Sequence, residues 1–87
     1  MLFIKKSEMD SKEILNKLNP VFKEVFKENI RLTPSTSPND IGSWDSLNHM
    51  ILIKKIEGEF QFEFDLFDIV ELKNVGDIIN IIQKNVD

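Results

Sequence analysis

Not one cysteine occurs among the 87 residues, and His49 is the sole histidine. Disulfide staples and thiolate metal sites are therefore excluded, and a metal site would need carboxylates. No aspartate-rich calcium-loop spacing is present. A chain of this length makes one domain around one core. Whatever it folds into must be held by apolar packing alone. Hydrophobic residues make up 41% of the chain, with seven Phe among them. At roughly 25 cal/mol per Å² of apolar surface buried, such a supply outweighs chain entropy by only a modest margin. The spacing of the apolar residues is then the guide to the fold.

That spacing reads as four helices and no convincing strand. The first runs from about Ser11 to Glu28. Asp10 and Glu13 have the spacing of a capping box, and Ile14, Leu15, Leu18, Phe22, Val25 and Phe26 fall on one face. Pro20 lacks the N–H that would continue the ladder. Because the stripe keeps its phase across Pro20, a kink at Asn19-Pro20 is expected, with a break and restart as the alternative. Residues 29–45 form a long connection, rich in Pro, Ser, Thr and Asn, in which Ile30, Leu32, Ile41 and Trp44 should turn back onto the core.

A second helix is expected from Asp45-Ser46 to about Glu59. Its apolar positions, Leu47, Met50, Ile51, Leu52, Ile53, Ile56 and Phe60, make a stripe wider than a surface helix needs. This helix should therefore be central and leave some apolar side chains exposed. Phe60, Phe62 and Phe64 alternate as in a strand, but five residues without a partner read better as a loop plugging the core. A short third helix fits Leu66 to Leu72. The fourth starts at Asn74, with Asp77 at its third helical position and Val75, Ile78, Ile79, Ile82 and Val86 on one face. The fold class is all-α, a four-helix bundle with a long first loop and a short third helix.

Charge is unevenly distributed. Residues 1–31 carry a net +2, residues 32–56 balance, and residues 57–87 carry −6. An acidic C-terminal half repels a phosphate backbone and attracts basic protein surfaces, which argues against nucleic-acid binding. The first four residues are apolar and Lys5-Lys6 follow. That is too short for a secretory signal or a membrane span, so residues 1–9 read as a flexible leader before a single domain over 10–87, with Met9 as a conceivable alternative start. A cytoplasmic monomer without membrane insertion is expected.

One constellation stands above the background: Gly42-Ser43-Trp44-Asp45-Ser46-Leu47, where the long loop meets a helix start. A serine there presents its hydroxyl beside unpaired backbone amides, at the positive end of a helix that favours a phosphate. Asp45 opposes that anion, so its use lies in capping or in recognition. Taken alone, Asp-Ser-Leu is no more than an ordinary helix cap. His49, three residues on, invites a Ser–His hydrolase reading, but no Gly-x-Ser-x-Gly elbow surrounds Ser46 and a bundle this small offers no cleft. The plain reading of His49 is a surface residue beside the site. For Trp44 it is a loop anchor, for Lys54 and Lys55 a solvated face, and for Glu57, Glu59, Glu63, Asp65, Asp68 and Glu71 either solubilising charge or a docking surface.

Trp44-Asp45-Ser46-Leu47, the Met50–Phe60 helix, and Leu72-Lys73-Asn74-Val75-Gly76-Asp77 together resemble the phosphopantetheine-binding acyl carrier proteins. The resemblance spans about residues 10–86, with compatible helix order and loop lengths. It implies an acyl-carrier-like four-helix bundle that is not an enzyme. In that family Ser46 would take 4′-phosphopantetheine from coenzyme A through a phosphopantetheinyl transferase, with Asp45 and Leu47 flanking it. The arm would carry acyl or aminoacyl groups as thioesters to acyl-activating, condensing or acyltransferase enzymes. Fatty-acid carriers have a strongly acidic second helix, whereas here Asn48, His49, Ile51, Lys54 and Lys55 follow Ser46. Those residues and Trp44 are the candidates for partner contact, and the pattern is similar to stand-alone carriers of specialised pathways. The alternative is a helical interaction module that shares the fold and is never modified.

Overall fold

The computed structural model describes residues 10–86, so the expectations about residues 1–9 lie outside the described residues. Four helices follow in order: α1 (Ser11–Phe26), α2 (Ser46–Phe60), α3 (Leu66–Glu71) and α4 (Val75–Asn85). A 3₁₀ turn, Pro38–Asp40, interrupts the long connection between the first two. Among the described residues there is no strand.

Three of the four helices begin on an Asp or Asn whose side chain accepts the amide three residues on. The pairs are Asp10 with Glu13, Asp45 with Asn48, and Asn74 with Asp77, each at 2.9 Å. Helix α1 runs unbroken through Pro20, so the chain does not break and restart there. The missing Pro20 N–H is outweighed by buried residues on both sides of it, Ile14 and Leu18 before and Val21, Phe22 and Phe26 after. Asn19 Nδ2 adds a bond to the Leu15 carbonyl in the preceding turn. Helix α1 packs along both α2 and α4, so it is α1, and not α2 as the stripe width suggested, that forms the shared centre. Helix α2 buries Leu52, Ile53, Ile56 and Phe60 and turns Leu47, Met50 and Ile51 outward.

The long connection is ordered by what it buries and by what it caps. Leu32, Ile41 and Trp44 enter the core, with Ile30 packed at its edge. The Pro34 and Thr36 carbonyls accept the Gly76 and Val75 amides at 2.8 and 2.9 Å. These are the first free donors of α4, and the Asn74 side chain takes the next one. The Asp77 carboxylate in turn accepts the Lys73 amide at 2.8 Å. Asn74-Val75-Gly76-Asp77 is thus a socket for the loop, with Val75 fully buried beneath it. Phe60 at the end of α2 and Phe64 beyond it are buried, and Phe62 lies tilted against Phe64 with centroids 4.8 Å apart. Glu57 holds this turn by accepting the Phe64 amide at 2.9 Å, a structural use for an acid that the sequence offered only as solvating or docking charge.

Candidate functional site

Ser46 is the first residue of α2, immediately after the N-cap Asp45. Asp45 Oδ1 accepts the Asn48 amide and the Asp45 carbonyl accepts the His49 amide at 2.8 Å. The carboxylate is therefore committed to the helix cap. Ser46 is left exposed. Among the described residues its hydroxyl has no hydrogen-bond partner, and neither do the amides of Ser46 and Leu47. Unpaired amides at the positive end of a helix stabilise an anion placed there.

The loop is pinned to this corner from several sides. Asn48 Nδ2 donates to the Ser43 carbonyl at 2.8 Å, and Ser43 Oγ reaches Glu28, just beyond α1, at 3.5 Å. Trp44 is only 6% exposed and sits edge-on to Phe22 with centroids 5.4 Å apart, with Phe26 at 5.8 Å. Its indole Nε1–H donates to His49 Nδ1 at 2.9 Å. An indole nitrogen only donates, so Nδ1 is the bare nitrogen of that ring and Nε2 carries the hydrogen. Nε2 faces the Ile69 carbonyl at 3.5 Å. With Nδ1 occupied by the indole, the ring is not set up as a base for Ser46, and the hydrolase reading loses its proton acceptor.

Beside Ser46 an open groove of about 630 Å³ lies between α2 and α3, lined by Trp44, His49, Met50, Ile69, Val70 and Leu72 among others. The residues present fit a phosphodiester-linked arm. The exposed hydroxyl can take the phosphate, the amides can face its charge, and a largely apolar trough lies next to it.

The structure sorts the contact candidates from the sequence. Leu47 and Ile51 point outward, and Lys54 has a side chain 78% exposed. Trp44, by contrast, is a core residue with only an edge on the groove. Asn48 is half-buried and engaged with the loop, and His49 is a bridge between Trp44 and α3. Lys55 reaches across to α1, where it donates to Glu24 at 2.7 Å. That hydrogen bond, and the ammonium charge behind it, hold the Glu24 carboxyl below its usual range. Residues absent from the sequence candidates are Met50 on α2 and Leu66, Phe67 and Val70 on α3, the last three 71–76% exposed. The available signal was a six-residue helix with more apolar side chains than one face can bury.

The family model for a phosphopantetheine attachment site matches residues 16–82. A solution NMR structure of a holo acyl carrier protein from Geobacter metallireducens is 45% identical, with a TM-score of 0.76 over 80% of this chain and 82% of that one. A chain described as an acyl carrier protein from Mycobacterium tuberculosis, 23% identical, shares the fold at a TM-score of 0.73 over 79% of this chain and 93% of that one. A search of curated proteins returns no match. Among the described residues no helix is long and apolar enough to cross a membrane, and no cluster of His, Asp and Glu could hold a metal ion. An exposed serine at a helix start, seated in a fold shared with carriers and matched over most of its length by their family model, places the chain in the phosphopantetheine-binding family as an acyl carrier protein, a non-enzymatic carrier whose cofactor is covalent 4′-phosphopantetheine.

Proposed function

We propose that Ser46 is the attachment residue and that the chain, as a single domain over residues 10–87, carries acyl or aminoacyl groups to partner enzymes of a specialised cytoplasmic pathway. The observation that carries this reading is the exposed, unpartnered Ser46 hydroxyl at the start of α2, with two free amides beside it. In loading, Ser46 Oγ forms a bond to the phosphorus of coenzyme A nearest the pantetheine. The phosphoanhydride breaks, adenosine 3′,5′-bisphosphate leaves, and the hydroxyl proton passes to the transferase or to water. The bound arm supplies a thiol that holds cargo as a thioester. Asp45 keeps α2 capped throughout, and Leu47, Met50, Ile51 and Lys54 form the outward surface beside Ser46.

That surface is apolar with one well-exposed cation, Lys54, which is paired at 3.7 Å with Glu57 on the next turn and brings no acid beside Ser46; this supports specialised partners over enzymes that recognise an acidic second helix. Incubation with coenzyme A and a broad-specificity phosphopantetheinyl transferase should add the mass of one arm. Ser46→Ala should add none. Wild type that stays unmodified while a control carrier loads would favour an unmodified interaction module instead.

A further inference from the structure

The groove beside Ser46 has one firm wall and one weak one. On the α2 side, Trp44 is locked against Phe22 and Phe26. On the other side α3 has six residues, none of them buried, and no side-chain cap at its start. A helix of that length does not hold itself together in water, so it persists through its attachments. These are the half-buried Ile69 and Leu72, and the contact of His49 with the Ile69 carbonyl.

His49 therefore sits between two partners of unequal grip. The bond from Trp44 is short, at 2.9 Å, and joins the two rings edge to edge, their planes 23° from parallel and their centroids 6.2 Å apart. The contact to Ile69 is 3.5 Å, near the limit of a hydrogen bond, so it parts first. An apolar residue at position 49 could fill the space but could not join an N–H on one side to a carbonyl on the other. A neutral imidazole, with one bare and one protonated nitrogen, can.

We propose that His49 is the latch of the groove. By linking the Trp44 indole to the Ile69 carbonyl it holds α3 closed beside Ser46, and so acts as a positioning residue that sets how well a cargo chain is shielded from water. The first half stands on these contacts alone; the shielding half rests on the assignment of the arm to Ser46.

Two variants test it. His49→Phe keeps a flat ring against Trp44 and loses both nitrogens, whereas His49→Gln keeps one acceptor and one donor. In the unmodified protein, amide exchange at Ile69–Glu71 should quicken about five- to tenfold in His49→Phe, the loss of roughly one hydrogen bond. Exchange at Ile56 and Ile82 in the core should stay as in wild type, and His49→Gln should recover much of the difference. Trp44 is the sole tryptophan and the chain has no tyrosine, so its emission reports loss of the indole bond directly. Unchanged α3 exchange in His49→Phe, an equal rise in the core amides, or no recovery in His49→Gln would each overturn the latch. After loading with an octanoyl arm from octanoyl-coenzyme A, thioester hydrolysis should quicken in step with α3 exchange. If exchange rises and hydrolysis does not, the shielding half is wrong. If no variant takes the arm, the assignment to Ser46 fails, and the exchange result still decides the latch.

Discussion

A Cβ built on Gly76 would lie 3.1 Å from the Pro34 carbonyl oxygen and 3.2 Å from Asn74 Oδ1. Both atoms are at work: the first accepts the Gly76 amide and the second caps the helix. Glycine is needed here for close approach, since its φ is not positive. A side chain must push away the carbonyl that docks the loop, and the gain in helix propensity is small so near the N-terminus. Gly76→Ala should therefore destabilise by about 1 kcal/mol, read as a lower midpoint in urea unfolding. Ser46 presents the opposite case. Its hydroxyl has no partner among the described residues and Asp45 supplies the cap, so Ser46→Ala should change stability by less than about 0.5 kcal/mol in the same measurement. A larger loss would mark Ser46 as a structural residue. The sequence alone did not say which residue caps α2, because Asp45 and Ser46 are both good caps. The bond from the Asn48 amide to Asp45 makes Asp45 the cap and leaves the Ser46 hydroxyl unused by the helix.

Helix starts were legible because Asp and Asn side chains do the capping and stand in the sequence where the helices begin. Helix ends were legible to within one or two residues, with less to mark them. Helices α1 and α2 close on Lys27 and Gln61, in the left-handed region at φ 57° and 60°, where a glycine would have been the visible signal. The course of α1 through Pro20 was open for a related reason: whether a proline breaks a helix depends on how much is buried on each side. Here five core residues span it, and the helix tolerates a penalty of about 3 kcal/mol. Removing the ring should recover part of that. Pro20→Ala is expected to stabilise the domain by about 1–3 kcal/mol, seen as a higher urea midpoint with an unchanged slope. A neutral or destabilising result would mean that the core around Phe22 is fitted to the geometry that Pro20 imposes.

For the molecule as a whole, helix order and the apolar core followed from periodicity, but the outer surface did not. Which part of the wide α2 stripe faces outward depends on α1 lying against both α2 and α4, a tertiary choice that no local pattern contains. The result is an outward surface with Leu47, Met50 and Ile51 on α2 and Leu66, Phe67 and Val70 on α3, the latter among Asp65, Asp68 and Glu71. A domain of this size has little stability to spare, so large side chains left in water on two neighbouring helices point to a use outside the fold. Phe67, 76% exposed, tests this most directly. Phe67→Ser should shift unfolding by no more than about 0.5 kcal/mol, because the ring gives up little contact with the domain. By contrast, Phe60→Ala should cost roughly 3 kcal/mol or more, since that ring is buried at the end of α2. Binding of an apolar fluorescent dye should fall in Phe67→Ser while the melt stays put. A substantial drop in the urea midpoint of Phe67→Ser would instead make the ring part of what holds α3 in place, and would remove it from the surface available to partners.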